Sequence, residues 1–251
     1  MELKIIAAAL LAGAAIGASA AEINVAVAAN FTAPAKELAA DYEKATGDKL
    51  VLSFGSTGNF YAQIKNGAPF DVLLAADDTT PAKAVKEGYG VEGTTFTYAI
   101  GKLVLWSSDA NLIKGDAKVL TTDAVKHIAV ANPKLAPYGL AAHETMDKLG
   151  IKAAITPKIV EGDNIGKTFQ FVSTGNAEAG FIALSQCYKD GKMTSGSGWI
   201  IPQEYYNPIA QDAVLLKKGE KNEAAKKFLE YLRTSEKAAQ VRAAYGYDTA
   251  K

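Results

Sequence analysis

The sequence predicts an α/β protein of two lobes, each a mainly parallel sheet flanked by helices, with a ligand cleft between them. Short apolar segments rich in small and β-branched residues alternate with helical patterns along most of the chain. This rhythm is interrupted at "YAIGKLVLWSS" (98–108) and again at "GSGWIIPQEYYNP" (196–208). Two interruptions indicate that the chain crosses twice between two lobes, and a cleft between lobes is the usual place for a small ligand.

The first lobe begins with three strand and helix pairs. "AEINVAVAA" (21–29) predicts a buried strand, and the following helix has Pro34 in its first turn and Gly47 past its end. The other predicted strands are "KLVLSF" and "FDVLLAAD", and the other predicted helices are "NFYAQIKNG" and "TTPAKAVKEG". This order favours βαβ units and a parallel sheet.

The second lobe repeats the same order of elements. Its predicted strands are "HIAVAN", "PKIVEG" and "AGFIALS", and its helices are "LAAHETMDKLG" and the one that follows the loop within "DNIGKTFQFVSTG". The helical pattern at 221–246 is expected to pack on the first lobe. The predicted first lobe therefore comprises residues 21–102 and 206–251, and the second comprises residues 103–205.

Residues 1–20 have the pattern of a cleavable signal peptide. Lys4 precedes an apolar run, and Ala18-Ser19-Ala20 provides small residues before the predicted cleavage site. The apolar run is short for a membrane span. The mature chain is therefore expected in the periplasm.

Composition narrows the function further. The chain has 251 residues and equal numbers of basic and acidic side chains, so no charge excess indicates a nucleic acid partner. Cys187 is the single cysteine, which excludes an internal disulfide. Only two of the 27 basic residues are arginines, Arg233 and Arg242, both in the C-terminal helical pattern. A site elsewhere must hold an anion without the bidentate clamp that arginine provides.

The stretch "IVEGDNIGKTF" (159–169) resembles a phosphate-binding loop but has the wrong spacing. A P-loop needs a glycine five positions before its Gly-Lys pair, where this chain has Glu161. What remains is a helix N-terminus near Asn164 to Gly166, where unpaired N–H groups attract anions.

Three other loops have the same form. They follow predicted strands at Asn30, at Gly55-Ser56-Thr57-Gly58 and at Pro137-Tyr138-Gly139, so each lobe supplies two of the four. Loops at the carboxyl ends of strands line the crevice of doubly wound sheets. Taken singly, each loop is better explained as structural, with Thr32, Ser56 and Asn164 as helix caps. The number and symmetry of these loops favour a binding site.

The chain resembles the periplasmic molybdate-binding proteins of ABC transporters over nearly all of its mature length. The resemblance is carried by "VAVAANFTAPAKELAADYEKATG", "SFGSTGNFYAQIKNGAPFDVLLAAD", "VANPKLAPYGLAAHETMDKLG" and "KFLEYLRTSEKAAQVRAAYGY". It implies a type II periplasmic-binding-protein fold that binds molybdate or tungstate, needs no cofactor and works as a monomer with an inner-membrane permease. The ligand-binding residues that it implies are Ala29, Asn30, Ser56, Thr57, Tyr138 and Ile165. Many members have a tyrosine where this chain has Ala183, so a fifth contact is left open.

A cage of neutral donors suits such a ligand. It avoids the cost of burying a cation together with the dianion. It also disfavours a protonated oxyanion such as phosphate near neutral pH, because a proton would then face another donor.

Three other functions have weaker support from the sequence. A carboxylate binder would have to use Lys134 or Lys167 in place of arginine. A ferric site could use Tyr205 and Tyr206, although the early loops supply no histidine, and packing at the hinge is the alternative role for this pair. The candidate catalytic groups are His127, His143, Asp77, Asp78 and Cys187, and none lies in a recognised catalytic motif. The sequence therefore predicts a binding protein and not an enzyme.

Overall fold

The computed structural model describes residues 20–249, so the predicted signal peptide lies outside the described residues except for Ala20. Twelve strands are formed in this part of the chain: β1 (Glu22–Ala28), β2 (Lys49–Gly55), β3 (Val72–Leu74), β4 (Phe96–Gly101), β5 (Leu103–Ser107), β6 (Ile128–Ala131), β7 (Ile159–Gly162), β8 (Ala179–Ala183), β9 (Tyr188–Lys189), β10 (Lys192–Met193), β11 (Ser197–Ile200) and β12 (Ile209–Leu215).

Eight α-helices connect or cover the strands. They are α1 (Thr32–Thr46), α2 (Thr57–Lys65), α3 (Thr79–Lys86), α4 (Pro137–Lys148), α5 (Lys152–Ile155), α6 (Ile165–Ser173), α7 (Glu223–Thr234) and α8 (Glu236–Ala244) within residues 20–249. None of these helices combines the length and the apolar character needed to cross a bilayer.

Two five-stranded sheets form the centres of the two lobes. The sheet of the first lobe has the order β2-β1-β3-β12-β4, and that of the second has the order β11-β5-β8-β6-β7. Each sheet has its own apolar core, with Ile23, Val25 and Leu38 in the first and Leu103, Ile128 and Phe181 in the second. The two-lobed α/β fold class is therefore confirmed.

Each sheet is mixed, with parallel strands in one half and antiparallel strands in the other. In the first lobe β1 pairs in parallel with β2 and β3, whereas β12 runs antiparallel to β3 and β4. In the second, β6 pairs in parallel with β7 and β8, and β5 runs antiparallel to β8 and β11. The antiparallel half of each sheet contains the strands next to the two crossovers. Parallel neighbours need a connecting segment within the same lobe, usually a helix, whereas these strands lead directly into the other lobe.

The crossovers are short. Lys102 alone separates β4 from β5, and residues 201–208 join β11 to β12. After β12 the chain stays with the first lobe, where Leu232 of α7 and Val241 of α8 share the core with Ile23. The lobe boundaries at 102/103 and 205/206 stay a prediction.

Candidate functional site

In the first lobe, strand register brings two candidate loops together. Ala28 at the end of β1 is paired with Gly55 at the end of β2. Because the two strands are parallel, the chain leaves both at the same edge of the sheet. Asn30 and Ser56 therefore follow adjacent strand ends.

The second lobe repeats this arrangement with β6 and β7. Ala131 is paired with Gly162 at the ends of these parallel strands. Helix α4 begins at Pro137 and α6 at Ile165, so both helices start near the same sheet edge. Each lobe thus supplies two neighbouring loops.

The four loops meet around one small cavity between the lobes. All six residues that the sequence predicts for ligand binding line this cavity, and all six are buried. They are Ala29, Asn30, Ser56, Thr57, Tyr138 and Ile165. The structure therefore brings together residues separated by more than a hundred positions in the chain.

Two hydroxyl groups in the lining each accept a hydrogen bond from a backbone N–H group. Ser56 is the N-cap of α2 and its Oγ accepts the N–H of Asn59 at 3.4 Å. Thr57 Oγ1 accepts the buried N–H of Ala76 at 2.9 Å. A hydroxyl that accepts one hydrogen bond keeps its own proton to donate. Both side chains can therefore cap a structural group and donate to a ligand at once.

Helix starts provide further donors. The N–H groups of Thr57, Tyr138 and Ile165 lie in the first turns of their helices, where no intrahelical acceptor is available. Among residues 20–249, no carbonyl outside the helices accepts these three groups. The positive ends of three helix dipoles thus face the same cavity, which favours an anion.

Asn30 differs from the expectation of a donor-only site. Its Nδ2 donates to Gln211 Oε1 at 2.8 Å and to the Tyr247 hydroxyl at 2.9 Å. Its Oδ1 is the one buried side-chain polar atom without a hydrogen-bond partner in the described part of the chain. The two ends of an amide have the same shape, so a rotation by about 180° would replace this acceptor with a donor.

The lining of the cavity is electrically neutral. None of its described residues carries a charged side chain. Lys134 and Lys167 are exposed on the surface, and Arg242 Nη1 donates to the Leu232 carbonyl oxygen instead. Burial raises the pKa of Tyr138 well above its ordinary value, so this phenol stays neutral.

The capping expectations were correct for two residues and wrong for the third. Ser56 and Asn164 are N-caps, with the Lys167 N–H donating to Asn164 Oδ1 at 3.0 Å. Thr32 is instead the first residue of α1, and its hydroxyl donates to the Ala29 carbonyl oxygen at 2.7 Å. That carbonyl group belongs to the short 3-10 helix Ala29–Phe31, which directly precedes Thr32.

Ala183 does not line the cavity. Its N–H donates to Gln186 Oε1 at 2.9 Å, and Gln186 Nε2 donates to the Ile165 carbonyl oxygen at 3.0 Å. Gln186 therefore holds the start of α6 in place, a role that sequence reasoning missed because no motif marks this glutamine. Gln211, Tyr247 and Ser185 were missed for the same reason.

The candidate groups for other functions lie away from this cavity. Tyr206 is buried at the second crossover, where its hydroxyl accepts the Leu103 N–H at 3.1 Å, and Tyr205 packs against Trp199. Among residues 20–249, no cluster of histidine, cysteine and carboxylate side chains could hold a metal ion. Burial raises the pKa of Cys187 to about 12, so it is a neutral thiol. Asp77 caps the start of α3 by accepting the Thr80 N–H at 2.6 Å.

Comparison with known proteins agrees with this geometry. A family model described as bacterial extracellular solute-binding protein matches residues 23–248. The molybdate-binding protein ModA of Azotobacter vinelandii is 57% identical over 93% of this chain and 92% of its own length. The protein of that name from Rhodobacter capsulatus is 50% identical over 96% of this chain and 94% of its own length.

A solved structure gives the same result. The periplasmic molybdate-binding protein of Azotobacter vinelandii superimposes with a TM-score of 0.87 at 39% identity, over 91% of this chain and all of that one. The resemblance to the periplasmic molybdate-binding proteins is therefore confirmed, and these relatives are named as binding proteins.

Proposed function

The chain belongs to the bacterial extracellular solute-binding proteins, and from this premise we propose that it binds molybdate in the periplasm for delivery to an ABC importer. The signal peptide at residues 1–20 would direct its export. Its partner would be the inner-membrane permease of that importer, which recognises the closed form of the monomer.

One observation carries this proposal. Four loops, two from each lobe, surround one small cavity lined by buried hydroxyl groups, an amide and helix N-termini but by no charged side chain. Such a lining stabilises a desolvated dianion through hydrogen bonds and helix dipoles. The ligands that we assign are the side chains of Asn30, Ser56 and Thr57 with the N–H groups of Tyr138 and Ile165, next to the backbone of Ala29.

Tungstate should bind in the same way, because it is a tetrahedral dianion of the same charge. We expect phosphate to bind weakly, since it is partly protonated near neutral pH and most of the lining consists of donors. Asn30 Oδ1, which has no hydrogen-bond partner among the described residues, is an acceptor that could receive such a proton.

We infer that the protein has no catalytic activity of its own. Tyr138 is the titratable side chain in the lining, and its raised pKa makes it a poor base at neutral pH. The thiol of Cys187 and the carboxylate of Asp77 are outside the cavity.

Calorimetric titration of the purified protein with molybdate, tungstate, sulfate and phosphate tests the proposal. Tight one-to-one binding of molybdate and tungstate, with no heat from sulfate or phosphate, is the expected result. Silence with all four anions would overturn the proposed function. Equal affinity for sulfate would overturn the assignment to molybdate while leaving an oxyanion site.

A further inference from the structure

Gln211 lies at the centre of a buried hydrogen-bond network behind the cavity. It is in strand β12 of the first lobe and has no exposed surface. Its Oε1 accepts from Asn30 Nδ2 at 2.8 Å and lies 3.2 Å from the Tyr98 hydroxyl. Its Nε2 donates to the Tyr138 hydroxyl at 3.0 Å.

This network joins the two lobes. Asn30 and Gln211 are in the first lobe, whereas Tyr138 lies in the first turn of helix α4 in the second. A primary amide has an acceptor at one end and a donor at the other, so Gln211 can hold a donor of one lobe and an acceptor of the other at the same time. A hydrophobic or purely donating side chain could not make both bonds.

The backbone nearby leaves space for the bond between the lobes. Gly101 ends β4, and a Cβ atom there would overlap the Tyr138 hydroxyl and Gln211 Nε2. Glycine is therefore required at this position for the close approach of the two side chains.

A second set of bonds fixes the backbone of Asn30. Ser185, which follows β8 of the second lobe, donates from Oγ to the Asn30 carbonyl oxygen at 2.8 Å. The Tyr247 hydroxyl lies 3.0 Å from both that oxygen and Ser185 Oγ. Asn30 is thus held by both lobes when the cleft is closed.

We propose that Gln211 is a positioning residue that couples oxyanion binding to lobe closure by holding Asn30 and Tyr138 together across the cleft. The inference deepens the proposed function and depends on it for the identity of the ligand. Closure forms the Gln211–Tyr138 bond, and that bond in turn fixes the two ligand-binding residues. Loss of the Gln211 amide should therefore weaken binding and favour the open form.

A charge introduced at position 211 would lie among uncharged side chains, so its effect on ligand binding can be measured. The phenols of Tyr98, Tyr138 and Tyr247 surround it, and burial raises the pKa of each, so all three stay neutral near pH 7. The charged groups that influence the pKa of Tyr98 are Asp77, Asp212 and Arg242. Burial raises the pKa of both carboxyl groups and lowers that of the guanidinium.

The test compares Gln211→Met and Gln211→Glu with the wild type and with Gln240→Glu. Gln240 is exposed on α8 and bonded to Glu236, so the control adds the same charge outside the cleft. Gln211→Met should bind molybdate roughly 10- to 100-fold more weakly and release it faster, because buried hydrogen bonds are lost. A molybdate affinity equal to that of the wild type would overturn the proposal.

Gln211→Glu provides a readout that a purely structural role would not change. The variant keeps the shape of the side chain but places a carboxylate behind Asn30, close to the bound dianion, so binding favours a proton on the introduced carboxyl group. Its affinity relative to the wild type should fall by up to about tenfold per pH unit between about pH 6 and about pH 9. Gln240→Glu should show no such slope, and a ratio for Gln211→Glu that stays constant with pH would contradict the proposal.

A failure of the proposed function can be distinguished from a failure of the inference about Gln211. If the wild type does not bind molybdate, the ligand assignment is wrong, and small-angle X-ray scattering without ligand then tests Gln211. Gln211→Met should have a larger radius of gyration than the wild type because the bond between the lobes is missing. An unchanged radius would refute the coupling. If Gln211→Met does not fold, Gln211→Leu, which also lacks both hydrogen-bonding groups, carries both measurements.

Discussion

The buried floor of the cleft and its exposed rim use opposite chemistry. The floor consists of the six cavity-lining residues named above and contains no charged side chain. The rim contains the Glu37–Lys189 ion pair between the lobes and a neighbouring depression lined by Asp77, Asp78 and Glu144. Charges are thus present within a few residues of the site but are kept out of it.

The physical reason lies in the different dielectric environments. A charge on the floor would interact with a dianion through a medium of low effective dielectric, whereas a charge on the rim is screened by water and salt. Substitutions that change charge should therefore have large effects on the floor and small effects on the rim. Asn30→Asp on the floor and Glu37→Gln on the rim test this difference directly, and Gly58→Ala and Thr57→Val test neutral changes at and beside the floor.

Asn30→Asp should nearly abolish molybdate binding. The change is isosteric, but it puts a carboxylate against the dianion, and two unit charges at about 4 Å repel by about 4 kcal/mol at an effective dielectric of 20. Calorimetry should show at least a roughly 1000-fold loss of affinity at neutral pH. Asn222→Asp is the matched control, because Asn222 caps α7 outside the cleft and aspartate also serves as an N-cap. Near-normal binding by Asn30→Asp would place the ligand elsewhere.

Gly58→Ala should weaken molybdate binding only by hindering closure of the two lobes. The Gly58 N–H donates to the Leu135 carbonyl oxygen of the other lobe at 3.0 Å, and an added Cβ would lie 3.1 Å from the Leu135 Cα and carbonyl oxygen. The lobes must then separate slightly, at a cost of about 1–3 kcal/mol for overpacking. Affinity should fall about 5- to 100-fold, with little change in the melting temperature of the ligand-free protein, because the open form relieves the contact.

Gln63→Ala on the exposed face of the same helix is the control for this variant. It should leave binding unchanged. A large fall in the melting temperature of Gly58→Ala without ligand would mean that the substitution damages the first lobe itself and does not report on closure.

Thr57→Val should reduce both stability and affinity. Its hydroxyl is the acceptor for the buried Ala76 N–H, and valine leaves that donor without a partner. The free energy of unfolding, measured in urea, should fall by about 1–3 kcal/mol. Thr57→Ser keeps the hydroxyl and should recover most of both losses. If the serine variant is as unstable as the valine variant, methyl packing and not the hydrogen bond accounts for the effect.

The floor could be predicted from sequence where its signals are local. Ser56 and Asn164 precede helical patterns and cap them, Asn30 lies directly before α1, and Tyr138 lies in the first turn of α4. Gln211 gave no such signal. It contacts Asn30 across 181 positions of sequence, and one glutamine in a buried strand has no periodicity that reveals a partner so distant.

The same limit applies to Tyr247 and to the sheets. Tyr247 bonds to Asn30 across 217 positions, from a segment beyond the last helix. The antiparallel halves of the sheets also depend on where returning strands are inserted, which tertiary packing decides and local pattern does not. Sequence therefore locates the groups that line the cavity better than the groups that support them.

Glu37→Gln should have the smallest effect because it changes the rim. Lys189 Nζ lies 2.9 Å from Glu37 Oε2, with both side chains more than a third exposed, and such pairs contribute about 0–1 kcal/mol. Calorimetry should show less than about a fivefold loss of molybdate affinity, and that loss should shrink as salt is added. Glu223→Gln, which breaks an exposed ion pair within α7, is the matched control.

The pH dependence of Glu37 has a definite sign. The hydrogen bond from Lys189 lowers the pKa of Glu37 below its ordinary 4.5, so the folded protein holds this proton less tightly than the unfolded chain. The contribution of the pair is complete above pH 4.5 and is lost as the pH falls through the lowered folded value. The stability difference between wild type and Glu37→Gln should therefore stay constant at neutral pH and disappear in acid. If Glu37→Gln loses as much molybdate affinity as Asn30→Asp, charges on the rim interact strongly with the ligand. The proposed contrast between floor and rim would then be wrong.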